Sequence, residues 1–240
     1  SSDLAALDRR GPRAEHAGMA ATLTAPTPAP WRDTKRHAWL LSGCFPGLAW
    51  LNVWQADRSG HAFWLWLLPA VMYTLIPLLD ALLGEDRSNP PEALVPALEA
   101  DRWYLAVLLL FVPLQFGLTL HGAWLAVHGG LGVAGFIGLV LTVGGINGVA
   151  INTAHELGHK HAAWERWLAR VVLAPVAYGH FFVEHNRGHH RRVATPEDPA
   201  SARLGESFWA FLPRTVLGGL RSAWHLERQR LAGRGLGPWH

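Results

Sequence analysis

The stretch that decides the fold runs from Trp103 to Ala154 and reads WYLAVLLLFVPLQFGLTLHGAWLAVHGGLGVAGFIGLVLTVGGINGVAINTA. Its 52 residues include no Asp, Glu, Lys or Arg, and His128-Gly129-Gly130 marks a turn near the middle. Each half, as a helix, is about 36 Å long, enough to cross a hydrocarbon core of about 30 Å. A soluble helical core is the less favoured alternative for so long an uncharged run. The sequence therefore predicts two membrane-spanning helices here.

Two further segments without charge precede this run. Residues 38–55 and 59–79 are separated by a turn at Asp57-Arg58. The fold class predicted is therefore all-α: an integral-membrane helical bundle with four spanning helices and a cytoplasmic, histidine-rich cap. We divide the chain into a polar N-terminal tail at 1–36, a bundle of two helical hairpins at 37–154, and a metal-binding and interfacial helical region at 155–240. If Met19 is the native start, residues 1–18 are an added expression sequence.

The positions of the basic residues predict the orientation of the bundle. The two outer turns hold one basic residue, Arg58, out of the 21 in the chain. Because basic loops stay on the cytoplasmic side, the N-terminus and the region after Ala154 are expected to be cytoplasmic. We expect a bacterial inner membrane. The high pI of about 9.5 reflects this asymmetry and not binding to nucleic acid, because no basic patch with interleaved aromatic residues occurs.

Two clusters of histidines follow the uncharged run. His155 and His159 are four residues apart, and His185, His189 and His190 form an H-x3-H-H pattern. Residues i and i+4 of a helix share a face, so each cluster is half of a metal site. Neutral nitrogen ligands without thiolates suit iron, copper, nickel or zinc. The single cysteine, Cys44, excludes a four-thiolate iron centre within this chain, so any electrons are expected from outside it.

The motif H-E-L-G-H is also that of zinc peptidases, in which Glu156 would be the general base. Five histidines exceed what one tetrahedral zinc with an open position takes, so they favour two metal ions. A membrane zinc peptidase and a metal-handling membrane protein without enzymatic activity remain the alternatives. Carboxylates commonly hydrogen-bond to ligand histidines, and we name four candidates for that role. They are Asp80, Glu156, Glu184 and Asp198.

Three stretches together resemble the membrane-bound alkane monooxygenases, a family of integral-membrane di-iron enzymes related more distantly to fatty acyl desaturases. They are N-T-A-H-E-L-G-H-K from Asn152, G-H-F-F-V-E-H-N-R-G-H-H-R-R-V-A-T-P-E-D-P-A-S-A-R from Gly179, and P-L-L-D-A-L-L-G-E-D-R-S-N-P-P-E from Pro77. The resemblance extends from about residue 37 to residue 240.

The resemblance implies that two non-haem iron ions are bound through the five histidines of the two clusters. It also implies hydroxylation of a terminal methyl of linear medium-chain alkanes with O2, and rubredoxin as the electron donor, separate or fused. A related fatty acyl desaturase or hydroxylase is the runner-up. The family's third histidine motif, a further ligand and two more spanning helices would lie beyond His240, so we expect six spans in a full chain.

The second predicted helix offers candidates for a substrate pocket. Met72, Tyr73 and Ile76 lie on or beside the face that carries Asp80, and Met72 is about 12 Å along the helix from that acid. Met72 facing lipid is nearly as favoured. The spacing Gly144-x3-Gly148 on the fourth helix favours close packing between helices, with room for a ligand as the alternative.

Overall fold

The computed structural model describes residues 31–86 and 88–239, and in these ranges every regular element is helical. Residues 1–30 of the predicted tail lie outside the described residues. The helices are α1 (Leu41–Ser59), α2 (Ala62–Leu83), α3 (Val95–Ala100), α4 (Arg102–His128), α5 (Val133–Gly158), α6 (Ala163–Val172), α7 (His180–Glu184), α8 (His190–Arg192) and α9 (Phe208–Ala232). The all-α membrane fold class is confirmed.

Three of the described helices are long and apolar enough to cross a membrane: α2, α4 and α5. The sequence predicted four spans, and α1 is the one that does not qualify. Its 19 residues include Asn52 and Gln55 and end in Asp57-Arg58-Ser59, which lowers its mean hydropathy. A charge-free run is therefore not by itself apolar enough, because uncharged amides also lower the hydropathy.

The second span is not one regular α-helix. It begins with a 3-10 turn at Ala62–Trp66, continues as an α-helix to Ala70, widens to a π-helix at Val71–Leu75 and ends as an α-helix at Leu83. The expected disturbance lies around Pro69 and Pro77, since proline lacks the N–H that an α-helix needs. Met72 and Tyr73 are both in the π-helical part.

The core lies where α1, α4 and α5 pack together with the first turn of α2. Val53, Leu65, Leu118 and Ile146 are fully buried there. Some glycines allow the helices to approach closely. A Cβ at Gly138 would lie 2.8 Å from the indole nitrogen of Trp66, so only glycine fits at this contact.

The predicted close packing at Gly144 and Gly148 is wrong. A Cβ at either position would meet no atom within 4 Å among the described residues. The spacing permits close approach but does not supply a partner helix, and here both glycines face open space.

The helix α6 runs back along α5. At the C-terminal end of α6, the side chain of Gln115 in α4 donates to the carbonyl of Val172 at 3.0 Å. It also donates to Oδ1 of Asn147 in α5 at 2.8 Å. A Cβ at Gly158, the last residue of α5, would lie 3.6 Å from Phe182, after the chain has returned. Since α5 is about 39 Å long and a hydrocarbon core about 30 Å thick, α5 is long enough to extend past such a core. The histidine region is built around the C-terminal end of α5.

Candidate metal centre

The first two histidines stand at the end of α5. His155 lies three residues before the last residue of the helix, and His159 is its C-terminal cap. Their ring centroids are 4.6 Å apart. The α-helical spacing brings these two rings together, as the sequence predicted.

The second cluster lies on a π-helical turn at His185–His189. A π-helix bonds residue i to residue i+5, so its turn is wider than that of an α-helix. His185 and His190, five apart, therefore share a face, and their Nε2 atoms are 3.1 Å apart. The H-x3-H-H pattern predicted all three histidines as ligands, and α-helical spacing would have paired His185 with His189. Such single π-helical turns are frequent at functional sites.

The two clusters meet through three ring nitrogens. Nε2 of His159 lies 3.1 Å from Nε2 of His185 and 3.3 Å from Nε2 of His190. Ligand nitrogens about 2.1 Å from one ion are about 3.0 Å apart at right-angle bonds and about 3.4 Å apart at tetrahedral bonds. The triangle therefore has the size of a ligand set around a single transition-metal ion. His155 extends it, since one nitrogen each of His155, His159 and His185 lie within 4.8 Å of one another.

The protonation of this cluster suits a metal. Burial, followed by the neighbouring histidines, lowers the pKa of His185 to about 4. The same two causes lower the pKa of His159. Both rings are therefore neutral near pH 7, and a neutral imidazole is the form that binds a metal.

The ring of His189 stacks beside the ring of His185, with the two centroids 5.4 Å apart. Its Nδ1 lies 2.9 Å from Oδ2 of Asp198, whose carboxylate also accepts a hydrogen bond of 2.6 Å from the hydroxyl of Ser201. The Asp198 side chain is fully buried. A carboxylate on one ring nitrogen fixes the ring and leaves Nε2 for a metal, which is the usual arrangement behind ligand histidines. Asp198 was predicted for this role; the structure places its carboxylate against His189, and the role behind a metal ligand stays a prediction.

The other predicted carboxylates differ in their surroundings. Oε1 of Glu156 is 3.0 Å from Nδ1 of His155. Glu184 is buried and accepts a hydrogen bond of 2.8 Å from Arg192. Asp80 is exposed near the C-terminal end of α2, and among residues 31–86 and 88–239 no hydrogen bond joins it to a histidine. An acid next to an apolar run marks the water interface as readily as a metal site, so its position along the sequence did not distinguish the two.

Two residues of the histidine region were missed by the sequence reasoning. Arg192 also donates to the hydroxyl of Ser222 in α9 at 2.6 Å, so it ties Glu184 to a helix 30 residues further along the chain. A Cβ at Gly188 would lie 2.4 Å from a carboxylate oxygen of Glu184, which shows how tightly this acid is held under the π-helical turn. The spacing of these residues follows no local pattern and gave no signal.

A groove of about 510 Å³ lies along α5, and its last residue, Asn152, is three residues before His155. Its floor is a face of α5, and Met72 and Tyr73 of α2 form the opposite wall. The residues from α5 are Val140, Leu141, Gly144, Gly145, Gly148, Val149 and Asn152. Ile76, predicted with Met72 and Tyr73, is not among the residues that form it.

The groove and the first two histidines lie on the same face of α5. Residues 141, 145, 148, 152, 155 and 159 follow one another at alternating steps of four and three, the period of a single helix face. Gly145 provides the space in the middle: a Cβ there would lie 3.5 Å from the sulfur of Met72. Gly144, Gly145 and Gly148 thus lie in the groove, and room for a ligand at these glycines stays a prediction.

Both the histidine region and most of the chain are similar to known proteins. Residues 131–239, which include both histidine clusters, match the model of the fatty acid desaturase family. The chain is 46% identical to alkane 1-monooxygenase 1 of Alcanivorax borkumensis and 45% identical to alkane 1-monooxygenase of Pseudomonas putida. The predicted family resemblance is confirmed.

The similarity covers only part of the length of these relatives. Each alignment covers 86% of this chain, but the chain spans about half the length of these curated relatives, 51% and 52%. Alkane 1-monooxygenase of Acinetobacter baylyi, 39% identical, is covered to the same extent, 52%. The similarity to alkane 1-monooxygenases therefore concerns one part of a longer type of protein.

Proposed function

We propose that the protein to which this chain contributes hydroxylates a terminal methyl group of linear medium-chain alkanes, with O2 and two electrons from outside the chain. The similarity to alkane 1-monooxygenases supports the reaction class. The observation that carries the proposal is the mostly apolar groove on α5, which lies on the same helix face as His155 and His159.

We assign His155, His159, His185, His189 and His190 as ligands of two non-haem iron ions. The spacing of three Nε2 atoms between 3.1 and 3.3 Å supports ligation of an ion by the first cluster and the π-helical turn together. When bound, iron supplies the activation of O2, for which protein side chains have no chemistry of their own. The family resemblance implies further iron ligands in addition to these five histidines.

The residues of this chain hold and orient the groups around the metal. Asp198 fixes the ring of His189 through Nδ1, and Glu156 stands in the same position relative to His155. The low pKa of His185 keeps that ring unprotonated. These contacts hold the ligand nitrogens in place before the metal binds, so less ordering is needed on binding.

The groove accounts for the choice of substrate. An alkane offers no polar group, so its binding must come from apolar burial, about 0.8 kcal/mol per methylene. Met72 in the wall and Leu141 and Val149 in the floor supply such a surface, and the glycines leave the floor open between them. An unbranched chain lying along α5 then points one end at the histidines, and position selects the terminal carbon.

The partners follow from the reaction. The electrons need a donor, and we infer rubredoxin from the family resemblance, separate from this chain or fused to it. The single cysteine, Cys44, lies in α1 and cannot form a four-thiolate centre. We place the protein in the bacterial inner membrane with the histidines on the cytoplasmic side, because the basic residues lie on that side.

A second candidate is a desaturase, since the fatty acid desaturase model matches the part of the chain with the histidines. The substrate and product distinguish the two reactions. The full-length protein in lipid membranes, loaded with iron and supplied with an electron donor, should convert a mixed panel of alkanes to primary alcohols. Formation of alkenes or desaturated acyl chains without alcohols would support the desaturase, and zinc without oxygen uptake would support a peptidase.

A further inference from the structure

The groove along α5 ends in a polar residue. Asn152 is the groove residue nearest in sequence to the histidines, one helical turn before His155. Tyr73 carries the only other polar side chain in the set that forms the groove. Tyr73 is next to Met72, and Met72 contacts α5 at Gly145. Because Gly145 is about 10 Å from Asn152 along α5, Tyr73 lies well away from the Asn152 end of the groove. The groove is therefore apolar over most of its length, with a carboxamide at the end next to the histidines.

The carboxamide of Asn152 is exposed and makes no hydrogen bond among the hydrogen bonds found in residues 31–86 and 88–239. Asn147, on the same helix, shows the contrast. Its side chain donates to Thr119 at 3.0 Å and to the carbonyl of Val143 at 3.1 Å, and it accepts from Gln115 at 2.8 Å. Asn147 is thus used within the bundle, whereas the side chain of Asn152 is exposed on the face of α5 that carries the groove.

The depth of Asn152 suits the end of an amphiphile. Asn152 is 19 residues after Val133, about 28 Å along the helix, near the inner limit of a hydrocarbon core of about 30 Å. A ligand in the groove would have its apolar chain beside Met72 and Gly145 and its terminal atom at Asn152. A carboxamide both donates and accepts, and so does an alcohol hydroxyl.

We propose that Asn152 is the polar end of the groove and hydrogen-bonds the hydroxyl of a linear primary alcohol whose chain lies along α5. The groove therefore binds the hydroxylated chain as well as the alkane and prefers the alcohol. This inference rests on the proposed function for the direction of the chain, but it concerns binding alone. Asn152 is a specificity-determining residue in this account, and no chemical step is assigned to it.

The test measures binding without turnover. The full-length protein in lipid nanodiscs is irradiated with a 1-decanol derivative that carries a diazirine in its tail, and the labelled peptides are identified by mass spectrometry. Unlabelled 1-decanol and n-decane then compete for the site. Since a neutral hydrogen bond has a net effect of about 0.5–1.5 kcal/mol, 1-decanol should compete roughly 2- to 10-fold better than n-decane at equal concentration in the bilayer.

Asn152→Leu removes the hydrogen bond at similar side-chain volume, and the preference for the alcohol should fall to near 1. Asn152→Gln retains a carboxamide and should keep part of the preference. Val149→Ala is the matched control. Val149 forms part of the same groove but its side chain has no polar atom, so this variant should bind 1-decanol and n-decane more weakly to the same degree. If Asn152→Leu fails to fold, the Gln variant and the control still decide the question.

The outcomes separate this inference from the proposed function. An unchanged alcohol-to-alkane ratio in Asn152→Leu overturns the inference, as does a parent protein in which the two compete equally. Labelling outside α5 and α2 overturns the groove itself as the binding site. A clear preference for the alcohol in a protein that does not hydroxylate alkanes would support Asn152 while contradicting the proposed function.

Discussion

Nδ1 of His189 lies 2.9 Å from Oδ2 of Asp198, a carboxylate that solvent does not reach. Burial by itself would raise the pKa of Asp198, but hydrogen bonds from Ser201, Ala200 and His189 lower it below its ordinary value. Asp198 is therefore ionised when the site is formed. The eight residues between the histidine and the acid fold so that the negative charge sits behind the ring and the other ring nitrogen remains free.

Replacement of Asp198 by Asn should reduce iron content or turnover by about 10- to 100-fold, because the ring of His189 loses the charge that orients it. Iron bound per protein and alcohol formation are both measured in the full-length protein. Glu197→Gln is the control, since it removes the neighbouring acid, which is exposed. Parent-like values in Asp198→Asn would mean that the contact does not support a ligand.

Removal of single histidines should abolish turnover and lower bound iron while leaving membrane insertion intact. His155→Ala and His189→Ala each remove one proposed ligand nitrogen, and His190→Ala removes one corner of the nitrogen triangle. His161→Ala is the control, because His161 is exposed and lies outside the cluster. If a variant retains full iron content and turnover, the replaced histidine is not a ligand.

Met72→Trp should shorten the longest alkane that is accepted and spare the shorter ones. The sulfur of Met72 lies 3.5 Å from the position of a Cβ at Gly145, about 15 Å along α5 from His155. A flexible thioether can move aside for a long chain, whereas an indole cannot. Turnover of a graded series of alkanes gives the profile. Ile76→Trp, on the same helix but outside the groove, should leave the profile as it is, and identical profiles for the two variants would place Met72 outside the substrate path.

The ion pair of Glu206 and Arg214 should make stability depend on acid pH. Hydrogen bonds from Arg214 and from the backbone of Arg203 lower the pKa of Glu206 from 4.5 to about 2. A group with a lowered pKa stabilises the folded state fully above its unfolded value, and that contribution is lost as the pH falls through the folded value. The stabilisation should therefore decline between pH 4.5 and about 2.

Glu206→Gln removes this dependence. The difference in Tm between parent and variant should be largest above pH 4.5 and should shrink toward pH 2. Glu99→Gln, at an exposed acid of α3, serves as the control and should show no such trend. A difference that stays constant from pH 5 to pH 2 would show that Glu206 does not ionise with a lowered pKa.

Much of the site follows from local periodicity. An α-helix places residues four apart on one face, so His155 and His159 had to meet wherever the helix continued to its cap. The charge-free run from Trp103 to Ala154 likewise determined two long helices, because lipid requires the backbone to satisfy its own hydrogen bonds. Glycines on α5 could be recognised from the sequence, but their role as groove or packing surface could not, since that depends on which helix lies opposite.

The tertiary structure alone decided which histidines converge. The turn at His185–His189 is π-helical, so His190 joins His185 and His159, while His189 turns to Asp198. Local propensity does not select a π-helical turn. Glu184, four residues before Gly188, lies against this turn, and Arg192 links Glu184 to Ser222 in the distant helix α9. The sequence determined that five histidines would lie near one end of the bundle, and packing determined which of their nitrogens face one another, because ring direction depends on the surroundings of each side chain.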